Sequence, residues 1–357
     1  MTINFRLRSG AWASILLLVL VSTVRAQSYT LVDIGALPGG NTVAKKINLA
    51  GQVVGQSGKM YGAQTHAFAF TSGKLVDLGT LPGGDYSCAF DVNTKGSVVG
   101  ESNTATNIRA FIWDSIGGIR DLGTLPGDNG SRAFGINDSD QVVGYSSGTR
   151  VSAAFIWTND AGMVSLGTLP GGDASEALDI NNAGTVVGVS SIKSGEKHAF
   201  LWTPNNGMQD LGTLPGDITS QAYRVNNSGI VIGTSIGPNV THAFLWTPSV
   251  GMQNLGTLGG DSSGALDLNN KGEVVGTSTA AMGGHAFYWS SNTGMRDLNA
   301  LIPNSSGVIL TSALGINNAG WILAVGAVTI DHSQPLNLDD THHHAGPIHA
   351  FLLTPSH

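Results

Sequence analysis

The sequence predicts an all-β fold, a seven-bladed β-propeller of four-stranded antiparallel blades, on three observations. A segment of about 44 residues, the size of one propeller blade, recurs seven times along the chain. Each copy divides into four short runs rich in β-branched and aromatic residues, separated by Gly, Asn and Pro. The N-terminal part of the chain supplies one extra run of this kind, and the C-terminal part lacks one.

Three motifs recur in the same order and define the repeat. DLGTL or a close variant begins at Asp33, Asp77, Asp121, Ser165, Asp210, Asn254 and Asp297. HAF or a variant begins at His66, Arg109, Ala153, His198, His242, His285 and His349. A hairpin motif, DINNAGTVVG in the fourth copy, places an Asn at positions 48, 93, 137, 181, 226, 269 and 317, and we expect this Asn to be a turn residue.

The fourth copy illustrates the four predicted strands. Residues 177–180 alternate apolar and polar side chains, and residues 185–188 are largely β-branched. Residues 198–202 contain Phe and Trp, and residues 208–213 form the fourth run. Because a blade is covered on both faces, we expect one large residue per copy to pack between blades: Phe70, Trp113, Trp157, Trp202, Trp246, Trp289 and Leu353.

The links between the runs predict how the strands pair. Residues 181–184 form a hairpin with Gly184 where a left-handed backbone is needed, and the third copy has Asp140 there, which tolerates that conformation. The short link at 203–207 joins the third strand to the fourth. The LPGGD link leads to the next copy, on the same face as the links between strands two and three, which vary most.

The two ends of the chain predict how the ring closes. A lone fourth strand lies near the N-terminus, and the chain ends with a third strand that lacks its fourth. We therefore expect the N-terminal strand to complete the last blade, so that no sheet edge is open at the seam. One alternative makes DLGTL the first strand of each blade and needs no exchange. The other is a linear solenoid, which needs capping units that the sequence does not contain.

The N-terminal residues predict export. Arg6 and Arg8 precede an apolar run, and a small residue, Ala26, precedes Gln27, so residues 1–26 are predicted to be a signal peptide. The alternative is an uncleaved anchor, for which the apolar run is short. Residues 27–357 then form a single propeller, with an insertion at about 327–348. We expect a secreted, periplasmic or extracellular monomer without a transmembrane segment after cleavage.

Composition excludes several classes of protein. The net charge is −7 and no basic block occurs, which argues against a nucleic-acid partner. Hydrophobic residues make up 41% of the chain, which suits a packed core rather than disorder. The single cysteine, Cys88, excludes an internal disulfide framework, and we expect a buried, inert thiol.

The HAF, DLGTL and INxxGxVVG motifs together resemble the bacterial extracellular HAF-repeat family, and the likeness runs from about residue 29 to residue 355. The resemblance implies an exported repeat protein and brings no established general activity. The chain departs from the pattern in three places. Arg109 and Ala153 replace the His, Ala324 replaces the Gly of VVG, and a long insertion precedes His349.

Function is expected where the repeat symmetry breaks. Four such residues lie on the predicted variable face: Glu101 follows VVG, and Arg132, Glu176 and Gln221 precede the recurrent Ala. We predict that they bind an extracellular protein or glycan. One alternative is a polysaccharide hydrolase or lyase that uses Glu101 and Glu176 around Arg132. Another is a purely structural cell-surface or matrix protein, in which the four residues form a solvated rim.

Three further sets of residues are interpreted as structural or carry only a weak signal. The HAF histidines would not converge on one metal, because they recur around a ring. A charged ring is interpreted as inter-blade ion pairing, with a channel-lining binding role as the alternative: Lys46, Asp91, Gly135, Asp179, Arg224, Asp267 and Gly315. In the insertion, Asp339, Asp340, His342 and His344 suit a divalent metal but lack a fixed spacing. We expect no cofactor and assign no catalytic residue.

Overall fold

The chain forms a ring of seven four-stranded antiparallel sheets, which confirms the predicted seven-bladed propeller. The structure, a computed structural model, describes residues 28–33, 41–58, 65–148, 151–281, 283–303, 306–328 and 348–355. Over these ranges no helix has the length and hydrophobicity of a membrane span. The predicted signal peptide and the weak metal candidates Asp339, Asp340, His342 and His344 lie outside the described residues.

The strands follow one another from the channel outward in six blades, and the first strand, β1 (Tyr29–Asp33), belongs to the seventh. Blade 1 contains β2 (Asn41–Ile47), β3 (Val53–Gly58), β4 (His66–Thr71) and β5 (Lys74–Gly79). Blade 2 contains β6 (Ser87–Val92), β7 (Val98–Asn103), β8 (Ile108–Asp114) and β9 (Gly118–Asp121). Blade 3 contains β10 (Asp128–Ile136), β11 (Val142–Gly148), β12 (Ala153–Thr158) and β13 (Gly162–Gly167).

The remaining blades have the same order. Blade 4 contains β14 (Ser175–Ile180), β15 (Val186–Ser191), β16 (Lys197–Thr203) and β17 (Gly207–Asp210). Blade 5 contains β18 (Thr219–Val225), β19 (Val231–Ile236), β20 (Thr241–Thr247) and β21 (Gly251–Asn254). Blade 6 contains β22 (Ser263–Leu268), β23 (Val274–Ala280), β24 (Gly283–Ser290) and β25 (Gly294–Asp297), followed by a 3-10 turn at Leu298–Ala300. Blade 7 contains β26 (Val308–Ile316), β27 (Ile322–Val328), β28 (Ile348–Pro355) and then β1.

The N-terminal strand closes the ring, as the sequence predicts. β1 pairs antiparallel with β28, with Tyr29 opposite Pro355 and Asp33 opposite Phe351. The Tyr29 amide also donates to the Leu301 carbonyl at 3.1 Å, and Tyr29 is only 1% exposed. DLGTL therefore begins at the end of the fourth strand, which ends at Asp210 in blade 4 rather than at the predicted residue 213, and the alternative that made DLGTL the first strand of each blade is wrong.

Apolar side chains fill the space between neighbouring blades. The Phe of the HAF motif is fully buried in six blades, as Phe68, Phe111, Phe155, Phe200, Phe244 and Phe287. Phe200 packs with Val143 and Leu169 of the preceding blade, and Trp202 borders the same cluster but is only partly buried. The predicted Trp positions thus lie between blades, but Phe is the more deeply buried of the two aromatic residues.

Each innermost strand contains a β-bulge directly after its recurrent Ala, which re-aims one side chain. The bulged residues are Lys45, Phe90, Phe134, Leu178, Tyr223, Leu266 and Leu314. The glycine of VVG faces this bulge, and a Cβ on Gly188 would lie 2.0 Å from the Glu176 carbonyl oxygen. The bulge therefore explains why VVG recurs.

In five blades, a recurrent serine forms hydrogen bonds to the preceding blade. Ser175 Oγ donates to the Gly167 carbonyl at 2.6 Å and accepts from the Ala154 amide at 2.9 Å, and both partners belong to the preceding blade. Ser87, Ser131, Ser220 and Ser263 make the same two contacts. These serines stand two residues before the recurrent Ala, which is the only signal of their role in the sequence.

A closed circle of hydrogen bonds joins all seven blades through the hairpin asparagines. Each Nδ2 donates to the main-chain carbonyl of the corresponding Asn in the next blade, at 2.9–3.2 Å. The order is Asn48, Asn93, Asn137, Asn181, Asn226, Asn269, Asn317 and back to Asn48. Oδ1 meanwhile accepts from its own hairpin, so each Asn is an inter-blade residue as well as the expected turn residue.

Removing the closing strand is expected to abolish cooperative folding. Deleting β1 exposes the edge of β28, and open edges pair with other chains. Tyr29→Ala should lower the free energy of unfolding by roughly 3–5 kcal/mol, as for other buried aromatic residues. Thr30→Ala, at an exposed position of the same strand, is the matched control. Thermal unfolding and sedimentation measure both effects, and wild-type melting of the β1-deleted chain would contradict the closure.

Breaking the circle of asparagines is expected to destabilise the whole ring. Asn181→Ala removes the acceptor for the Ala183 and Thr185 amides and the donor to the Asn226 carbonyl. Because buried groups are left without partners, the free energy of unfolding should fall by about 2–4 kcal/mol. Asn205→Ala, in an exposed turn of the same blade, should change it by less than about 0.5 kcal/mol in urea denaturation.

Candidate binding site at the channel mouth

The four predicted site residues lie at one level of the central channel, on the face of the crossover links. At this level, the residue before the recurrent Ala on the first strand of the blade is paired with the residue after VVG on the second strand. The pairs are Cys88 with Glu101, Arg132 with Tyr145, Glu176 with Val189, and Gln221 with Thr234. The innermost two strands of blades 2–5 therefore present these side chains side by side.

Glu101 and Arg132 form an ion pair between two blades. Arg132 Nε lies 2.7 Å from Glu101 Oε2, and the Glu101 side chain is 7% exposed whereas that of Arg132 is 38% exposed. The N–H of Arg132 does not point at this oxygen, so Oε2 is buried without a hydrogen bond. The carboxylate is thus fixed deep in the mouth, and the guanidinium reaches solvent.

Two tyrosines flank this ion pair, and the sequence analysis missed both. The Tyr86 hydroxyl donates to Glu101 Oε1 at 2.9 Å. Arg132 Cζ lies 5.9 Å from the centroid of the Tyr145 ring, within the range of a cation–π contact. In the sequence, both tyrosines are visible only as departures from the repeat. Tyr86 directly precedes the recurrent serine of blade 2, and Tyr145 follows the VVG of blade 3, where blade 2 has Glu101.

Aromatic rings continue from Tyr145 toward the channel axis. The Phe134 ring centroid lies 5.7 Å from that of Tyr145 and 5.1 Å from that of Phe90. Phe90 and Phe134 are bulged residues of adjacent blades. The mouth therefore combines a row of ring faces with a charged pair at its end.

Burial keeps the ionisable groups around Glu101 protonated. Burial raises the pKa of the Tyr86 hydroxyl, and the nearby Cys88 and Glu101 raise it further. Burial also raises the pKa of Tyr145 and brings the pKa of the Cys88 thiol to about 12. Tyr86 is therefore a permanent donor to Glu101, and Cys88 is a buried thiol as predicted.

Glu176 and Gln221 are less firmly placed. Glu176 Oε1 accepts from Ser152 Oγ at 3.2 Å, and its charge acts on the Tyr145 hydroxyl. Within the described ranges, the Gln221 amide group has no hydrogen-bond partner. The structure thus brings Glu101 and Arg132 into contact, sets Glu176 near Tyr145, and leaves Gln221 apart.

The charged ring lies deeper in the channel, and one predicted pairing within it is wrong. Lys46 Nζ lies 2.6 Å from Asp267 Oδ1 in blade 6 and so pairs past Gly315 of blade 7 rather than with the adjacent Asp91. Arg224 Nε is 3.6 Å from the same oxygen, as the predicted pairing of adjacent blades requires. These side chains and the asparagine circle together line a polar cup of about 170 Å³.

The three carboxylates of this ring each accept an amide from the following blade. Asp91, Asp179 and Asp267 accept from the amides of Ile136, Val225 and Ile316, at 2.8–2.9 Å. Burial raises the pKa of Asp91, and it raises that of Asp179 to about 6, although Lys46 and Arg224 oppose the shift. The negative charges of Asp91 and Asp179 are therefore only partly compensated by Lys46 and Arg224.

The HAF histidines act within single blades. His66, His198 and His285 pair through Nδ1 with Asp77, Asp210 and Asp297 on the fourth strand, at 2.7–2.9 Å. His242 turns instead to Asp217 at 3.0 Å, since its fourth strand has Asn254. Over the described ranges, no group of three or more His, Cys, Asp or Glu side chains could hold a metal ion.

Solved structures share this fold at low sequence identity. An oligogalacturonate lyase in complex with manganese matches with a TM-score of 0.53 and 8% identity, over 92% of this chain and 97% of that chain. TolB from Acinetobacter baumannii matches with a TM-score of 0.46 and 11% identity, over 70% of this chain and 63% of that chain. A puromycin-hydrolyzing peptidase from Mycobacterium tuberculosis matches with a TM-score of 0.49 and 14% identity, over 86% of this chain and 52% of that chain. These likenesses concern the fold alone, and no family model or curated protein sequence matches the chain.

The raised pKa of Asp179 predicts a specific pH dependence of stability. The folded protein holds this proton more tightly than the unfolded chain, so the contribution of Asp179 to stability is present at low pH and is lost as the pH rises through about 6. Between pH 5 and pH 7.5, the free energy of unfolding of the wild type should fall relative to that of Asp179→Asn by about 1.4 kcal/mol, because only about one pH unit of this interval lies below the folded-state pKa. Asp160→Asn, in an exposed turn, is the control. Equal pH profiles for wild type and Asp179→Asn would contradict the assignment.

Proposed function

We propose that the chain is an exported binding module whose site is the channel mouth around Glu101 and Arg132, and that its ligand is an extracellular glycan. One observation supports this most directly. Among the described residues at this level of the channel, charged side chains occur only in blades 2, 3 and 4, as Glu101, Arg132 and Glu176, and the first two meet between two tyrosines. The repeat alone does not require these residues, because the other blades fold with uncharged ones.

The chemistry of the mouth favours a sugar. Sugar rings present apolar C–H faces, which suit the exposed sides of Tyr145 and Phe134, and hydroxyl groups, which suit charged donors and acceptors. Arg132 supplies N–H donors near solvent, and Glu176 supplies a carboxylate with one protein partner. A protein ligand with a comparable polar and aromatic surface is the other form of the same proposal.

The contacts of Glu101 weigh against the hydrolase or lyase alternative. A general acid or base needs an oxygen that can exchange a proton with the substrate. Glu101 Oε1 is bound by Tyr86, and Oε2 faces Arg132 inside the protein. Glu101 therefore suits the task of positioning Arg132 better than that of transferring a proton.

A glycan array followed by variant titration tests the proposal. Wild-type protein should bind a subset of glycans, and Arg132→Met should weaken that binding at least tenfold because a charge-assisted hydrogen bond is lost. The double variant Arg132→Met with Glu101→Gln should bind equally weakly while leaving no buried charge unpaired. Arg120→Met, which removes an exposed ion-paired arginine on the outer strand of blade 2, is the matched control.

Three outcomes would decide among the alternatives. Release of new reducing ends or unsaturated products from a bound glycan would support the enzyme alternative. Binding to an extracellular protein but to no glycan, with the same sensitivity to Arg132→Met, would support a protein ligand. Binding to neither would leave the structural role.

A further inference from the structure

A second chamber opens from the same channel on the side away from the Glu101–Arg132 pair. It has a volume of about 470 Å³, within the range of roughly 300–1,000 Å³ typical of small-molecule sites. Val43, Leu266, Leu314, Val325 and the Tyr223 ring contribute its walls. These residues belong to blades 1, 5, 6 and 7, whereas the ion pair belongs to blades 2 and 3.

The chamber is apolar but contains two basic residues. Lys45, the bulged residue of blade 1, lines it and forms no ion pair with any described residue, whereas its neighbour Lys46 is bound to Asp267. Arg224 also lines it, but its Nε is buried and lies 3.6 Å from Asp267 Oδ1. None of the described residues that line the chamber is acidic.

We propose that this chamber binds a small amphiphilic anion, a monocarboxylate with an apolar body. The carboxylate would pair with the Lys45 ammonium. The apolar body would lie against Leu266, Leu314 and Val325. The proposal does not depend on the glycan site, because the two sites share no residue.

The charge and shape of the chamber favour a monocarboxylate over cations, neutral apolar molecules and polyanions. A cation would be repelled by Lys45, and a neutral apolar molecule would desolvate the ammonium without giving it a partner. A polyanion would find only one unpaired cation, since Asp267 already lies beside Arg224. A monoanion with an apolar body matches both the single free charge and the aliphatic walls.

Isothermal titration calorimetry of the purified protein with octanoate, octan-1-ol and octylammonium tests the proposal. Octanoate should bind at least tenfold more tightly than octan-1-ol, because a charge-assisted contact is made only by the carboxylate. Octylammonium should not bind. Lys45→Met should reduce octanoate affinity at least tenfold without weakening octan-1-ol binding, with Lys74→Met, an exposed lysine of the same blade, as the control.

A second variant tests the location without removing a charge. Leu314→Trp, whose side chain would fill the chamber, should abolish octanoate binding while the protein keeps its wild-type circular dichroism and its glycan binding. Equal affinity for octanoate and octan-1-ol, unchanged octanoate binding in Lys45→Met, or no binding of octanoate by the folded wild type would each overturn the proposal.

Discussion

The ring depends on hydrogen bonds that pass from each blade to the next. A single four-stranded sheet of about 44 residues cannot cover both of its faces, so its stability comes from its neighbours. The hydrophobic effect brings blades together but sets neither their number nor their register, because it is non-directional. The asparagine circle supplies direction, since each amide group reaches one carbonyl in one neighbouring blade and returns to its start after seven steps. The recurrent serines form a second set of hydrogen bonds between neighbouring blades, farther along the innermost strands.

An odd number of blades limits how charges can be arranged around the channel. Asp91, Asp179 and Asp267 occupy alternate blades, and each accepts an amide from the blade that follows. Alternation of this kind cannot continue around seven positions. The irregularity falls in blade 1, where Lys46 occupies the place and extends past Gly315 of blade 7 to Asp267 of blade 6. Its neighbour Lys45 lines the apolar chamber, so the sides of the channel differ in chemistry although they come from one repeat.

The fold could be predicted from the periodicity of the sequence. The site could be predicted only in part, because its contacts depend on how far side chains extend between blades. The recurrence of DLGTL and HAF sets the number of blades, and the unmatched runs at the two ends indicate the exchange of β1. The hairpin Asn looked like a turn residue because a single repeat shows only its local bonds. The sequence placed Glu101 and Arg132 at one level, but the roles of Tyr86 and Tyr145 depend on the angle between blades. Adjacency along the ring predicts a Lys46–Asp91 pair, but the lysine side chain is long enough to pass Gly315, which has no side chain, and to reach Asp267.

The exchange of β1 has a consequence for the kinetics of folding. The first described strand pairs with the last, so Tyr29 meets Pro355 only when nearly the whole described chain has been brought together. Such a topology has high contact order, and the loop entropy of almost the entire chain opposes the final pairing. Before β28 is in place, a folding chain can therefore hold several blades but no closed ring, and the seventh blade is the last to be completed.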